Sequence, residues 1–301
     1  MRQTLLIVLA MALCVSTEAV GQKKKIWDRI SFAESFSSKK GARKPASFSL
    51  LMPGDTTPSV SIKTAMKFDL GFKGLGRKVD LGPYVEYRRH TNIKKPQNVF
   101  MLGLAMDWKT REEVANDEKA KPWGAVVVLS FNYKNDFIRH TKSVQTNVLF
   151  TPVAQGRGGI LQKLFLPNVP TNFGTFMEFS YSPYIGIEHE GVLSAQAENL
   201  EGSVFRAVTK VRAELLPLPD QLSRKLELNV EYSYVYDLKN DADPNRLTTG
   251  HRMVKADMNA WLVRTPNGRM AGVSLAYVNG ENPSIGFSNQ RLVQMTFAAK
   301  F

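Results

Sequence analysis

The chain has 301 residues, a formal net charge of +13 and a single cysteine, Cys14. Beyond residue 21, no stretch approaches the roughly 20 apolar residues that a transmembrane helix needs, which excludes a helical membrane protein. Because Cys14 lies in a segment that we expect to be removed, the mature chain can form neither a disulfide nor a cysteine-ligated metal site.

Residues 1–21 have the features of a cleaved secretory signal peptide. A positive charge near the start precedes residues 5–15, LLIVLAMALCV, an apolar run too short to span a bilayer as a helix. Ala19 and Gly21 are the small residues expected before a cleavage site. The alternative, a buried N-terminal helix, is disfavoured because three lysines follow at 23–25. We therefore expect an exported protein.

Residues 22–46 form a basic segment without regular alternation. Lysine and arginine cluster at 23–25 and 39–44, and a few apolar side chains such as Phe32 and Phe36 are scattered between them. Such a composition favours disorder. We expect a flexible periplasmic segment, and the alternative is a plug that folds into the strand-built domain that follows.

A period of two in hydrophobicity begins at residue 59. In SVSIKTAMKFDLGF (59–72), one face is apolar from Val60 to Phe72, and KLELNVEYSYVYDL (225–238) repeats the pattern. Since successive side chains of a strand point to opposite faces, each segment is predicted to be an amphipathic strand. The same pattern recurs with more noise at 79–89, 98–108, 123–133, 137–151, 175–190, 204–215, 253–263, 270–279 and 290–301.

Strand length and the turns between strands predict the fold class. The segments are longer than the five or six residues usual in soluble proteins. Strands that cross lipid must close into a barrel, because an open edge leaves N–H and C=O groups unpaired. The predicted fold is all-β, a transmembrane antiparallel up-and-down β-barrel of about twelve strands over residues 47–301. A soluble exported β-sandwich or lipocalin-like binder is the alternative.

The number of predicted strands is one short of the even number that a bacterial barrel needs. Eleven segments are an odd number, whereas both termini of a bacterial barrel normally lie on the periplasmic side. Reading forward places the turn at 133–136 on that side, and reading backward from the last strand places the turn at 265–268 there. These two assignments conflict between residues 151 and 204. We expect the missing strand at 158–168, or a hairpin within 175–200.

The final segment, LVQMTFAAKF, ends in a strand with alternating apolar residues. Met295, Phe297 and Phe301 lie on its apolar face. With the signal peptide and the amphipathic strands, this ending resembles the class of Gram-negative outer-membrane β-barrel proteins. The resemblance implies an assembly signal at these three residues, read by the barrel-assembly machinery, and an outer-membrane location. It singles out no family of known activity.

The polar faces of the strands are expected to line the lumen. Basic and acidic residues nearly balance there, which argues against strong anion selectivity. We expect a channel or facilitated route for small polar solutes; the alternative is a closed barrel with a structural or partner-binding role in the envelope. The candidate lining residues are Lys63, Lys67, Glu86, Arg88, Arg206, Lys210, Arg212, Glu227, Glu231 and Asp257.

Motifs for catalysis, cofactors or metals are absent from the sequence. Outer-membrane lipid hydrolases resemble one another in a His-x-Ser pair on one strand, but no histidine here has serine two positions later. We expect no enzyme, cofactor or metal, with a cross-strand lipid hydrolase as the less favoured alternative. Basic runs outside the strands predict solvated loops or, alternatively, contact with outer-membrane lipids and lipopolysaccharide, and the exported location argues against nucleic acid.

Overall fold

The structure, a computed structural model, describes residues 29–36, 44–53, 58–71, 79–91, 96–110, 123–154, 163–195, 201–242, 249–264, 270–282 and 288–300. The predicted signal peptide and Phe301 lie outside these ranges. Within them, no helix is long and apolar enough to cross a bilayer.

The described part of the chain is built from fourteen β-strands. Their bounds are β1 (Ile30–Ala33), β2 (Ala46–Pro53), β3 (Ser59–Phe68), β4 (Val79–His90), β5 (Gln97–Lys109), β6 (Trp123–Asp136), β7 (Thr141–Ala154), β8 (Thr171–Phe173), β9 (Met177–Ser194), β10 (Gly202–Pro217), β11 (Leu226–Asn240), β12 (Gly250–Arg264), β13 (Met270–Asn282) and β14 (Ser288–Lys300).

Twelve of these strands close into one antiparallel barrel. Strands β2 to β7 and β9 to β14 pair in chain order, and β14 returns to β2, where Phe297 lies opposite Phe48. The short strand β8 pairs with the start of β9. The predicted all-β, up-and-down barrel of twelve strands is therefore confirmed.

The polarity of the barrel wall is the reverse of that in a soluble protein. On β11, Glu227, Asn229 and Ser233 are buried inside the barrel. Val230 and Tyr232, which point to the other face, are exposed at 51% and 42%. Lipid solvates apolar side chains and a polar lumen solvates polar ones, so this alternation is typical of a transmembrane barrel. The resemblance to outer-membrane barrels is confirmed at the level of architecture.

The strand that sequence analysis missed is β2, not one between residues 151 and 204. The described residues 163–170 contain no strand, and β9 is continuous over 18 residues. The apolar run Leu50, Leu51 and Met52 breaks the alternation of β2, which conceals this short strand in the sequence. With β2 counted, β2 begins and β14 ends at the same end of the barrel, called here the termini end.

The position of the turn at 133–136 follows from the corrected strand count. Strand β6 starts at the termini end and finishes at Asp136, so this turn lies at the opposite end, called here the far end. The sequence-based assignment of the turn to the side of the termini was wrong because it began counting one strand too late.

Strands β1 and β2 form one wall strand that is interrupted. Both pair with the same edge of β3: Ala33 lies opposite Ala65, and Ser47 lies opposite Lys63. A continuous strand would place one residue between Ala33 and Ser47, but the chain has thirteen, 34–46. The described parts of the expected flexible segment, 29–36 and 44–46, therefore lie within the barrel, because β1 completes its hydrogen bonds on β3.

Candidate functional site in the barrel lumen

Residues 34–36 and 44–45, called here the inner segment, leave the wall between β1 and β2. The amide of Glu34 donates to the carbonyl oxygen of Lys44 at 2.8 Å, which joins the two parts of the segment. Their side chains point into the lumen. The inner segment therefore occupies part of the space that a solute would cross.

The first residues of the inner segment are anchored to β3 and β4. Glu34 accepts a hydrogen bond from the Lys63 ammonium at 3.1 Å, and the Ser35 hydroxyl donates to Glu86 at 2.9 Å. Phe36 is fully buried, with its ring centroid 5.7 Å from that of Tyr84. Apolar burial and charged hydrogen bonds together fix this side of the segment.

The last residues of the inner segment reach the opposite wall. The Lys44 ammonium lies 2.8 Å from a carboxylate oxygen of Glu231 on β11. Four barrel strands separate β3 from β11 on the shorter way round the barrel. The contacts of Glu34 and Lys44 thus attach the segment to two distant parts of the wall, and a contact of this kind is possible only through the lumen.

The two charged residues of the inner segment are ionised at neutral pH. Burial by itself would raise the pKa of Glu34, but Lys63, Lys255 and Lys44 lower it to about 2. Burial would lower the pKa of Lys44, but Glu231 and Glu34 raise it above its usual value. Each charge is therefore stabilised by partners on the wall.

A polar network surrounds Glu227 in the termini half of the lumen. One carboxylate oxygen accepts from Asn229 at 2.7 Å and from Arg212 at 3.4 Å. The other accepts from the indole N–H of Trp261 at 3.1 Å and from Arg264 at 3.3 Å. Because so many donors converge on it, Glu227 fixes β10, β11 and β12 relative to one another.

A second network lies in the far half of the lumen, centred on Arg206. Its guanidinium lies 2.5 Å from Glu188, 3.1 Å from Asp237 and 3.4 Å from Glu190. Lys134 on β6 also contacts Glu190, at 2.9 Å. Charges from four strands therefore neutralise one another across the wall, and this limits the net field in that half of the lumen.

His251 extends the far network to β13. Its Nδ1 lies 2.5 Å from Glu281, and its Nε2 lies 3.4 Å from Asp237. The imidazole therefore joins the carboxylates of Asp237 on β11 and Glu281 on β13.

A cavity of about 100 Å³ lies between the inner segment and the wall formed by β10 to β14. This volume has room for several water-sized groups. Its charged lining comes from four basic residues and four acidic ones. They are Lys44, Arg212, Lys255, Arg264, Glu34, Glu214, Glu227 and Asp257.

All ten sequence-predicted lining residues lie on the inner face of their strands. Their function in passing a solute stays a prediction. Lys67 pairs with Asp80 on β4, and Arg88 pairs with Glu86 on its own strand. The ten are Lys63, Lys67, Glu86, Arg88, Arg206, Lys210, Arg212, Glu227, Glu231 and Asp257.

Of the proposed assembly signal, the structure describes two residues. Met295 and Phe297 face outward from β14, and Phe297 is 54% exposed. Phe301 lies outside the described residues. The recognition of these residues by the assembly machinery stays a prediction.

Comparison with known proteins identifies similar structures but no protein family. No protein-family model matches the chain, and neither does any curated protein. The transport unit of the autotransporter AIDA-I from Escherichia coli is 11% identical, with 97% of this chain and 96% of that chain covered at a TM-score of 0.44. The NanC porin is 6% identical, with 85% and 100% covered and a TM-score of 0.43. Pseudomonas aeruginosa OprD is 6% identical, with 93% and 96% covered and a TM-score of 0.29.

Sequence analysis missed the residues that link distant strands. Glu34, Phe36 and Lys44 belong to a segment without alternation, and nothing in the sequence indicates which wall they contact. Trp261 and His251 were not selected because an aromatic or a lone histidine on a strand has no distinctive spacing. A charged residue beside a break in the first strand is the signal that would have pointed to the inner segment.

The structure brings one serine and one histidine together, which bears on the lipid hydrolase alternative. The Ser59 hydroxyl lies 3.5 Å from Nε2 of His90, and both residues are buried on the inner face near the far end. Within the described ranges, no carboxylate hydrogen-bonds to His90, and no group of three potential ligands is placed to hold a metal. The pair lacks the third group that orients a catalytic base, and it does not face lipid.

Proposed function

We propose that this protein is an outer-membrane channel that passes small polar solutes through a lumen narrowed by its inner segment. The observation that carries the proposal is the inverted polarity of the wall, with apolar side chains outside and ionised ones inside. An exterior of this kind requires lipid, whereas ionised groups in the interior require water or partners. A water-containing route through the bilayer satisfies both requirements.

The size of the lumen supports a restriction to small solutes. Its balanced charge supports a weak preference between cations and anions. A barrel of twelve strands lies between the small barrels that side chains fill and the wide porins. Glu34, Phe36 and Lys44 of the inner segment take up part of this space. Most wall charges lie in pairs, as around Arg206, so neither ion sign gains a strong advantage along the route.

The second candidate function is a closed barrel with a structural or partner-binding role in the envelope. The observation that favours it is the same inner segment, which is attached to two sides of the lumen by Lys63 and Glu231. If these contacts persist in the membrane and no gap remains beside them, the lumen carries no solute.

Single-channel recording in a planar lipid bilayer tests the proposal. The mature chain is refolded into detergent, and its insertion into vesicles is verified by flotation and by heat-modifiable mobility on a gel. Discrete conductance steps with weak preference between K⁺ and Cl⁻ are expected across a salt gradient. An electrically silent membrane that contains inserted protein would overturn the channel and favour the closed barrel.

A further inference from the structure

The cavity beside the inner segment contains charged groups that are close to one another but incompletely bonded. Asp257 is buried, and its Oδ1 accepts from Asn259 at 2.9 Å and from Asn229 at 3.1 Å. Its Oδ2 accepts no hydrogen bond from any described residue. A buried carboxylate oxygen without a donor costs free energy, so this atom calls for a partner from the lumen.

The nearest cation does not supply that bond. The Lys255 ammonium lies 4.0 Å from Oδ2 of Asp257, too far for a hydrogen bond, and among the described residues this is its one ion-pair contact. Both residues line the cavity. They leave a gap between a donor and an acceptor.

A hydroxyl group fits such a gap because it donates one hydrogen bond and accepts others. Asp257 Oδ2 has almost no accessible surface, so a small rotation of this side chain must admit the hydroxyl oxygen. The oxygen would then accept from the Lys255 ammonium and donate to the carboxylate. A lone ammonium, which only donates, or a lone carboxylate, which only accepts, would satisfy one partner and repel the other. The gap therefore selects for groups that both donate and accept.

The facing wall of the cavity is neutral and also suited to hydroxyl groups. The Gln294 amide nitrogen donates to the hydroxyls of Ser49 and Thr296, each at 2.8 Å. Gln294, Thr296 and Ser274 all line the cavity. The charged lining is balanced, with four basic and four acidic residues, so a solute with net charge gains little.

We infer that this cavity is a binding site for a small, uncharged, polyhydroxylated solute, a polyol or a sugar, held by hydroxyl groups that bridge Lys255 and Asp257. The inference rests on the proposed channel, because the site lies on the route through the lumen. It goes further by naming the chemistry of the solute and the residues that select it.

The test measures the ionic current through single channels while xylitol is added, with gluconate and glucosamine as charged probes of similar size. Xylitol is expected to reduce the current in a saturable manner, and the charged probes are expected to bind about tenfold more weakly. Asp257→Asn and Lys255→Met each remove one side of the bridge and should weaken xylitol binding about tenfold. A current that responds equally to all three probes, or a response to xylitol that is as strong in both variants as in the unmodified chain, overturns the inference while the channel stands.

The matched control removes an ion pair that lies outside the lumen. Lys239 and Asp241 pair at 2.7 Å on the far rim, with their side chains 66% and 49% exposed. Lys239→Met and Asp241→Asn should leave xylitol binding unchanged. If they weaken it as much as the cavity variants do, the effect is not specific to the cavity and the inference fails.

A readout independent of conduction separates the two proposals. Trp261 lines the cavity, so xylitol binding should change its fluorescence even in a barrel that does not conduct. Tryptophan fluorescence emission is measured while xylitol is added to the refolded protein and to the Trp261→Phe variant. A saturable change that disappears in Trp261→Phe and weakens in Asp257→Asn supports the site, and no change in the refolded protein overturns it.

Discussion

The Lys44 ammonium lies 2.8 Å from the Glu231 carboxylate, and this ion pair joins the inner segment to the wall opposite Lys63. The pair bridges the lumen between two strands that do not touch, β3 and β11. Because both groups are partly buried, loss of one partner would leave the other charge uncompensated in the lumen. The free width of the lumen therefore depends on contacts made by residues outside the barrel strands.

Reversing the charge of Lys44 is expected to widen the channel. Lys44→Glu places two carboxylates together at Glu231, which costs about 1–3 kcal/mol of the attachment of the inner segment and increases its detached fraction about 5- to 150-fold. The expected result is larger single-channel steps. The double variant Lys44→Glu with Glu231→Lys restores the attraction and should return the conductance toward that of the unmodified chain. Equal conductance in the single and double variants would contradict the attachment.

Phe36 is expected to be the apolar anchor of the inner segment. Phe36→Ala removes a fully buried ring and should cost about 3–5 kcal/mol of the free energy of unfolding, measured by urea titration in detergent micelles. Phe32→Ala is the matched control, because that ring is 36% exposed on the outer face and should cost about 1 kcal/mol. Similar losses in the two variants would show that Phe36 is not an anchor.

Acid is expected to release the inner segment only well below neutral pH. The pKa of Glu34 is about 2 in the folded barrel, against an ordinary value of 4.5. A lowered pKa means that the contribution of Glu34, on the order of 3 kcal/mol, is full above about pH 4.5 and is lost as the pH falls toward 2. Conductance measured from pH 7 to pH 2 should rise in that acidic window.

Glu34→Gln provides the control for the acid transition. This variant lacks the titrating group and the ion pair with Lys63, so it should show raised conductance already at pH 7 and a smaller rise on acidification. A rise centred near neutral pH in the unmodified chain would assign the transition to another group.

An arginine on the outer face is expected to destabilise the barrel more near the bilayer midplane than near the interface, even where the two positions are equally exposed. Leu104, in the middle part of β5, and Phe137, in the turn at the far end, are both 48% exposed. Leu104→Arg places a cation near the bilayer midplane and should cost about 2–4 kcal/mol, whereas Phe137→Arg near the interface should cost about 0–1 kcal/mol. Urea titration in lipid vesicles measures both. Equal costs would indicate a barrel that is not embedded in lipid.

The sequence by itself determined the fold class and the orientation of most side chains. Alternation on segments such as 225–238 arises because a strand turns successive side chains to opposite faces, so Glu227 and Tyr232 could be assigned to opposite sides without coordinates. The need to satisfy backbone groups in lipid then predicts closure. The strand that escaped, β2, is short, and Leu51 contributes an apolar side chain to its inner face.

Only the tertiary structure decided which charges meet and what occupies the lumen. The pairing of Lys44 with Glu231 depends on the curvature that brings β11 opposite β3, and no local pattern contains that information. The same holds for the gap between Lys255 and Asp257, since a spacing of two places both on one face but does not fix the 4.0 Å between their charged atoms. Periodicity is a local property of the chain, whereas contacts across a lumen arise when the barrel closes.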